Sequence, residues 1–258
     1  MEIITARSNE KIKYALKLAS SASFRRECGE FLIEGARLCS DAAQSGARIT
    51  KVFYTGAAAE KYRSYLDIIN PADGICCEIS PDVAKKLSDT ENPQGIFCIC
   101  RAKSEEVPLD ENGKYLALED VQDPSNLGAI SRSAEALGLS GLIVSGGCDI
   151  YNPKALRASM GSLFRLTVIK TDSLEKLISE AGAKGMKTLA SVPNRDAVDI
   201  RKTDKSGGVI CCIGNEGNGL KPETVKACAE RITIPMAGRA ESFNASAAAA
   251  ILAWELVR

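Results

Sequence analysis

The sequence predicts an α/β protein in two parts. A small α/β domain covers residues 1–103, a linker covers 104–113, and a larger parallel-sheet domain covers 114–258. Three observations predict this. Short β-branched or apolar runs alternate with helical patterns along the whole chain, the signature of α/β folds. Tyr115–Val121 is nearly continuously apolar, as a strand of a parallel sheet covered on both faces must be. Between the halves, Lys103–Gly113 is charged, carries Pro108 and Gly113, and has no apolar period, so it reads as a linker. A length of 258 residues also suits two domains of about 100–150 residues each.

Residues 1–20 read as a helix, with Ile12, Leu16 and Ala19 at helical spacing and Ser8 or Asn9 as its cap. Its charges, among them Lys11, Lys13 and Lys17, suit either a solvated face or a phosphate-contacting one. Phe31–Gly35 reads as a strand, Ala36–Ser45 as a helix stopped by Gly46, and Ile49–Thr55 as a β-branched strand. Ala57–Ile69 reads as a helix closed by Asn70-Pro71, and Ile75–Ile79 as a strand. Pro81 opens a helix through Leu87, and Asn92-Pro93-Gln94-Gly95 turns into the strand Ile96–Arg101.

Beyond the linker, Tyr115–Val121 leads through a turn at Gln122–Gly128 into a helix over Ala129–Leu137. Strands follow at Gly141–Ser145, Leu166–Ile169, Lys187–Val192, Val209–Ile213 and Ile232–Met236. Helices are expected from Pro153 to Phe164, over Ser173–Ala183 and Lys221–Ala229, and from Asn244 to Val257, where an alanine run favours helix.

Composition narrows the chemistry. No run of about 18 apolar residues is present, so no membrane helix is expected. The first residues lack a secretory pattern, and a cytoplasmic location is expected. The ten cysteines lie mostly in apolar strand-like runs with no C-x-x-C, and read as small buried hydrophobes of a reducing compartment; no metal site is expected. There is no histidine, which excludes Ser-His-Asp and Cys-His catalysis. A formal net charge of zero supplies no global signal for nucleic acid and does not exclude a local basic patch.

Three stretches of the second half end strands in polar turns that precede helices. In an open α/β sheet, ligands sit there, at the carboxyl ends of strands. The first is Asp120 to Arg132. Asp123-Pro124-Ser125-Asn126 favours a turn, and Asn126 alone reads as an ordinary helix N-cap. Arg132, two turns on in a small apolar helix, is either a surface charge or a ligand for phosphate or ribose. The second is Gly214-Asn215-Glu216-Gly217-Asn218-Gly219. Its three glycines permit positive φ and close backbone approach, while Glu216 is unexpected in a loop built for backbone exposure. The pattern is not G-x-G-x-x-G, which counts against a dinucleotide oxidoreductase. The third is Ile234-Pro235-Met236 followed by Ser242-Phe243-Asn244-Ala245-Ser246. Pro235 costs a ladder bond, and an apolar Ile and Met beside free backbone groups suit a flat base such as adenine. Ser242 or Asn244 caps the last helix.

Taken together and in this order, the three stretches resemble the SpoU/TrmH branch of the SPOUT methyltransferases. The first motif stands at Asp120, Asn126, Gly128 and Arg132, the second at Ile213–Leu220, and the third at Ile234–Met236 with Ser242–Ser246. The resemblance spans 114–258, with Phe243-Asn244-Ala245 a mild departure from the usual Leu-Asn-Val. Residues Glu30–Gly35 and Asn92–Gly95 make the first part similar to the substrate-binding domain often attached to this family. The resemblance implies transfer of a methyl from S-adenosylmethionine to a ribose 2′-oxygen of structured RNA, ribosomal RNA before tRNA, by a homodimer whose C-terminal segment threads a trefoil knot. It implies catalytic roles for Asn126, Arg132, Glu216, Ser242 and Asn244. It implies cofactor binding by Leu189, Ala190, Gly214, Asn215, Gly217, Ile234, Met236, Phe243, Asn244 and Ala245. A tRNA-directed enzyme, or a non-catalytic RNA-binding protein of the same fold, remains the alternative.

Overall fold

A computed structural model describes residues 3–69, 75–103, 107–194 and 196–258. The expected helix closure at Asn70-Pro71 and the linker residues 104–106 lie outside the described residues. By contacts the chain forms two compact units. One holds residues 1–105 with 149–164, the other 106–148 with 165–258.

In the first unit, α1 (Glu10–Ser20) begins where the Asn9 side chain accepts from Lys11 N at 3.0 Å. It buries Ile12, Ala15 and Leu18. Residues 3–9 are not helical, and Ile4 bridges Ile79. A helix that was not expected, α2 (Ala22–Cys28), starts at the Ser21 cap and stops at Gly29, which is left-handed at φ 64°. Then come β1 (Glu30–Glu34), α3 (Ala36–Gln44) and β2 (Ile49–Tyr54). The single helix expected over Ala57–Ile69 is two, α4 (Gly56–Lys61) and α5 (Arg63–Ile69), because Tyr62 leaves helical geometry at φ −115°, ψ 29°. The unit continues through β3 (Cys76–Glu78), α6 (Pro81–Leu87) and β4 (Ile96–Arg101). The sheet order is β1-β4-β2-β3, with β4 antiparallel to both neighbours. Helices α1 and α6 close over Leu32, Phe53, Phe97 and Ile99 to make one core.

The rest of the chain supplies β5 (Lys114–Glu119), α7 (Pro124–Ala136), β6 (Gly141–Ser145), α8 (Pro153–Ser159), α9 (Ser162–Arg165), β7 (Thr167–Lys170), α10 (Leu174–Ala183) and β8 (Lys187–Ser191). It ends with β9 (Val198–Asp199), a 3-10 turn (Ile200–Lys202), β10 (Val209–Ile213), α11 (Pro222–Ala227), β11 (Glu230–Thr233) and α12 (Ala245–Val257). Seven strands form a parallel sheet in the order β7-β6-β5-β10-β8-β11-β9. The central β10 is buried at every residue, which is why Val209–Ile213 carries no polar side chain. The two-residue β9 was not anticipated, being too short to show a period. No helix among the described residues is long and apolar enough to cross a membrane.

The run Asp149–Phe164, assigned from sequence to the second domain, clusters with the first unit. Tyr151 stacks on Phe31 with ring centroids 4.3 Å apart. Arg25, only 4% exposed, donates to Asp149 Oδ2 at 2.7 Å and to the carbonyls of Leu18 and Ala19 at 2.6 and 3.2 Å. A buried guanidinium needs that carboxylate, and it comes from a distant stretch of chain. The helix expected from Pro153 to Phe164 is broken at Met160 and Gly161, both at positive φ.

Candidate active site

The site forms at the carboxyl ends of β5 and β10, where the starts of α7 and α12 meet the glycine-rich loop. It begins with a correction at α7. The sequence suggests a turn through Gly128 with Asn126 as the cap. Instead Asp123 caps the helix, accepting from Ser125 N at 2.8 Å, and Pro124 occupies its first turn. This places Asn126 inside the helix, 7% exposed, with its side-chain amide free of capping duty.

That amide joins the three motifs. Asn126 Nδ2 donates to Glu216 Oε1 at 3.0 Å, and Asn126 Oδ1 accepts from Asn244 Nδ2 at 3.2 Å. Glu216 also accepts from the backbone N–H of Gln122 and Asp123, both at 3.1 Å. Asn244 caps α12 through Oδ1, which accepts from Ser246 N at 2.9 Å and Ala247 N at 3.4 Å. One chain of amide and carboxylate hydrogen bonds therefore fixes the first turns of α7 and α12 against the loop. Burial pushes the Glu216 carboxyl up. Hydrogen bonds from Asn126 and from the backbone N–H of Gln122, Asp123 and Glu216 itself outweigh it and hold the group below the usual carboxylate range.

The loop is braced on both sides. Asn215 and Gly219 exchange backbone hydrogen bonds at 3.0 and 2.9 Å, and Asn215 Oδ1 accepts from Gly217 N and Asn218 N. A Cβ on Gly214 would lie 2.0 Å from the Gly219 carbonyl carbon, so glycine is required there. At Gly217 the nearest atom would be 3.6 Å away, and space makes no such demand. Sequence reasoning missed one brace, Glu119, and gave a second, Asp120, a motif position without a role. Glu119, 2% exposed, accepts from Lys221 N at 2.8 Å and Thr224 Oγ1 at 2.6 Å. Asp120, left-handed at φ 53°, takes Asn215 Nδ2 on its carbonyl at 2.9 Å and Lys221 Nζ on its carboxylate at 2.7 Å. A carboxylate ending the apolar run Tyr115–Leu118 was the available signal for Glu119.

Arg132 is exposed and makes no hydrogen bond or ion pair with another described residue. Ser242 and Phe243 are also exposed and stand outside the hydrogen-bonded chain. A cavity of about 800 Å³ opens past the ends of β8, β9 and β11, lined in part by Asn194, Asp199, Lys202, Ile234, Met236 and Glu241 and not by Asn126, Glu216 or Asn244. Its size falls within the roughly 300–1,000 Å³ typical of small-molecule sites. Ile234-Pro235-Met236 lies past the end of β11, which stops at Thr233 rather than at Met236. From Pro235 to Phe243, no residue hydrogen-bonds another described residue, so this wall presents free backbone donors and acceptors. That wall fits the edge of an adenine between apolar side chains, and Glu241 suits a cationic group, whereas Asp199 is already paired with Arg201. The Arg201 guanidinium holds the Asp199 carboxyl down at about 2, so it is ionised. Of the residues expected to hold the cofactor, Ile234 and Met236 line the cavity; Gly214, Asn215, Gly217, Phe243, Asn244 and Ala245 do not, nor do Leu189 and Ala190, which are buried within β8.

A parallel sheet with a ligand cavity and a polar cluster at the carboxyl ends of its strands defines an α/β enzyme that works on a small molecule held at those ends. Comparison with known proteins makes the class particular. Residues 113–254 match the SpoU rRNA methylase family, and residues 9–98 match the MRM3-like substrate binding domain. The 23S rRNA (guanosine(2553)-2′-O)-methyltransferase of Bacillus subtilis is 30% identical over 99% of both chains. The 23S rRNA (uridine(2479)-2′-O)-methyltransferase of Streptomyces viridochromogenes is 29% identical over 99% of this chain and 91% of its own. A solved AdoMet-bound rRNA methyltransferase from Sinorhizobium meliloti superposes with TM-score 0.85 at 30% identity, covering 99% of this chain and 97% of that one. The chain belongs to the SpoU rRNA methylase family, the RNA 2′-O-ribose methyltransferases that use S-adenosylmethionine.

Proposed function

We propose that this protein methylates a ribose 2′-oxygen of ribosomal RNA. The observation that carries the reading is the hydrogen-bonded chain Glu216–Asn126–Asn244, which draws the three motifs together. The relatives that match over nearly the whole chain, substrate-binding part included, are named for 23S rRNA, which favours that RNA over tRNA.

S-adenosylmethionine supplies an electrophilic methyl on a good leaving group. The protein's work is therefore to position two reactants and manage the 2′-proton. Backbone at Ile234 and Met236 holds the cofactor, with Gly214, Asn215, Gly217, Phe243 and Ala245 bordering it and Leu189 and Ala190 supporting it from β8. Asn126, Glu216 and Asn244 set the geometry of the site, and Ser242 orients the ribose. Arg132 offers a guanidinium, which is no free base, so the 2′-proton leaves to solvent as the oxygen takes the methyl. Its uncommitted guanidinium instead contacts RNA phosphate and stabilises the alkoxide developing on the 2′-oxygen.

The protein works as a homodimer. Phe243, Trp254 and Val257 support this, being large apolar side chains exposed at or near α12. The run Thr233–Asn244 serves as the threaded segment of a trefoil knot. In support, β11 is made after β8 and β9 yet pairs between them, so the run that follows it leaves from between two earlier strands.

The test is calorimetric titration with S-adenosylmethionine, followed by transfer of labelled methyl to 23S rRNA and mapping of the modified ribose. Binding near one per protomer with a new 2′-O-methyl in 23S rRNA is expected. Methylation of tRNA alone would redirect the substrate, and cofactor binding with no transfer to either RNA would sink the enzymatic reading.

A further inference from the structure

The first unit holds a second cavity, of about 390 Å³, which the reaction above does not use. Three stretches wall it: the turn from β1 into α3, the run 88–94 before β4, and the arm around Arg157 and Met160. Part of the wall is fixed. Glu34 accepts from Ser88 Oγ at 2.5 Å, Thr90 Oγ1 at 3.1 Å and Asp89 N at 3.4 Å. Gln94 Oε1 accepts from Ala36 N at 2.8 Å, which leaves its amide NH₂ as a free donor. Arg157 donates through Nη2 to Asp89 Oδ2 at 2.7 Å, leaving the rest of its fork uncommitted.

Other lining groups are spare. The side chains of Arg37, Asp41 and Asn92 make no hydrogen bond or ion pair with another described residue. Met160 stands at φ 49° with 41% of its surface exposed. Among the described non-glycine residues only Asp120 shares a positive φ, and it braces the catalytic loop. Met160 closes α8 as a left-handed C-cap, a place that asks for no side chain, and is partly exposed. It presents an adaptable apolar surface at the cavity.

We infer that this cavity receives one unstacked nucleotide of the RNA substrate. Met160 lies against the base face. Asn92, Gln94 and Asp41 meet the base edge with donors and acceptors, and Arg37 and Arg157 take the flanking phosphates. A plain phosphate site would need neither the apolar surface nor the spare amides, and only unpaired RNA exposes its base edges for such reading. The inference rests on the RNA methyltransferase reading and adds where the first unit grips its substrate.

The test uses the full chain, the double variant Arg37→Ala/Asn92→Ala, and Met160→Gly. Glycine is at ease at that φ, so this last variant removes the side chain without harming the fold. The probes are a single-stranded RNA oligonucleotide, the same sequence as a duplex, and transcribed 23S rRNA. The wild type is expected to prefer the single strand. In both variants the single-strand affinity should fall about tenfold toward the duplex value, as a lost base contact would give. The salt slope of the double variant should drop by about one. The cofactor affinity and melting temperature should hold. Unchanged RNA affinity in Met160→Gly, or an equal loss for single strand and duplex, overturns the nucleotide pocket. Absence of methyl transfer by the wild type is a separate result, which counts against the enzyme and leaves the RNA-binding comparison to decide the pocket.

Discussion

Asn126 carries more of this site than its residue type suggests. Because Asp123 and Pro124 start α7, Asn126 is left buried with both ends of its amide bonded, one to Glu216 and one to Asn244. Glu216→Gln replaces a carboxylate that only accepts with an amide that must point NH₂ at one of its donors. The loss should be about 1.5 kcal/mol, roughly tenfold in kcat, at the low end for a charged hydrogen bond because the group is largely exposed. Its pH dependence has a definite sign. The folded value lies below the ordinary 4.5, so the contribution is complete above about pH 4.5 and is lost as pH falls through the folded value. Hydrogen exchange of the Gln122 and Asp123 amides between pH 3 and 7 should show that acid limb in the wild type and lack it in the variant. Arg132→Ala should abolish turnover while calorimetry still finds S-adenosylmethionine bound, because no described residue depends on that guanidinium. Retained turnover would refute its role.

At the scale of elements, the loop between β10 and α11 is set by near-contact of its own ends. Gly214→Ala would place a methyl 2.0 Å from the Gly219 carbonyl carbon and 2.1 Å from Leu220 N. The loop must open, at about 1–3 kcal/mol by analogy with overpacked cores, and Glu216 withdraws from Asn126. Denaturant unfolding and cofactor titration should both register it, whereas Gly217→Ala, with nothing closer than 3.6 Å, should be far milder. Glu119 and Asp120 explain why the loop returns to the same place. They end β5 and bind both Asn215 and the start of α11.

At the scale of the molecule, the first unit depends on chain from elsewhere. It is completed by Asp149–Phe164, and Asp149→Ala would leave Arg25 buried with only carbonyls. Losing one partner of a buried ion pair costs about 3–5 kcal/mol, so unfolding of the first unit should move to lower denaturant by that amount. In the second, Trp254 on α12 is 55% exposed. For the proposed homodimer, Trp254→Glu should give a monomer in sedimentation, and an unchanged dimer mass would remove α12 from the interface.

By itself the sequence determined the alternation of strand and helix, the all-apolar central strand and the three polar stretches that carry the family. Each is a local matter of period, turn chemistry or spacing. Element ends were less legible. Asp123, Ser125 and Asn126 are all competent caps, and which one serves depends on where Glu216 draws the amide. Only the tertiary structure decided that Asn126 joins Glu216 to Asn244, that Glu119 is buried beneath the loop, and that residues 149–164 complete the first unit. These pairings link residues 90–124 positions apart in the chain. Contacts at that separation are chosen by the packing of whole elements and leave no period or spacing in the sequence.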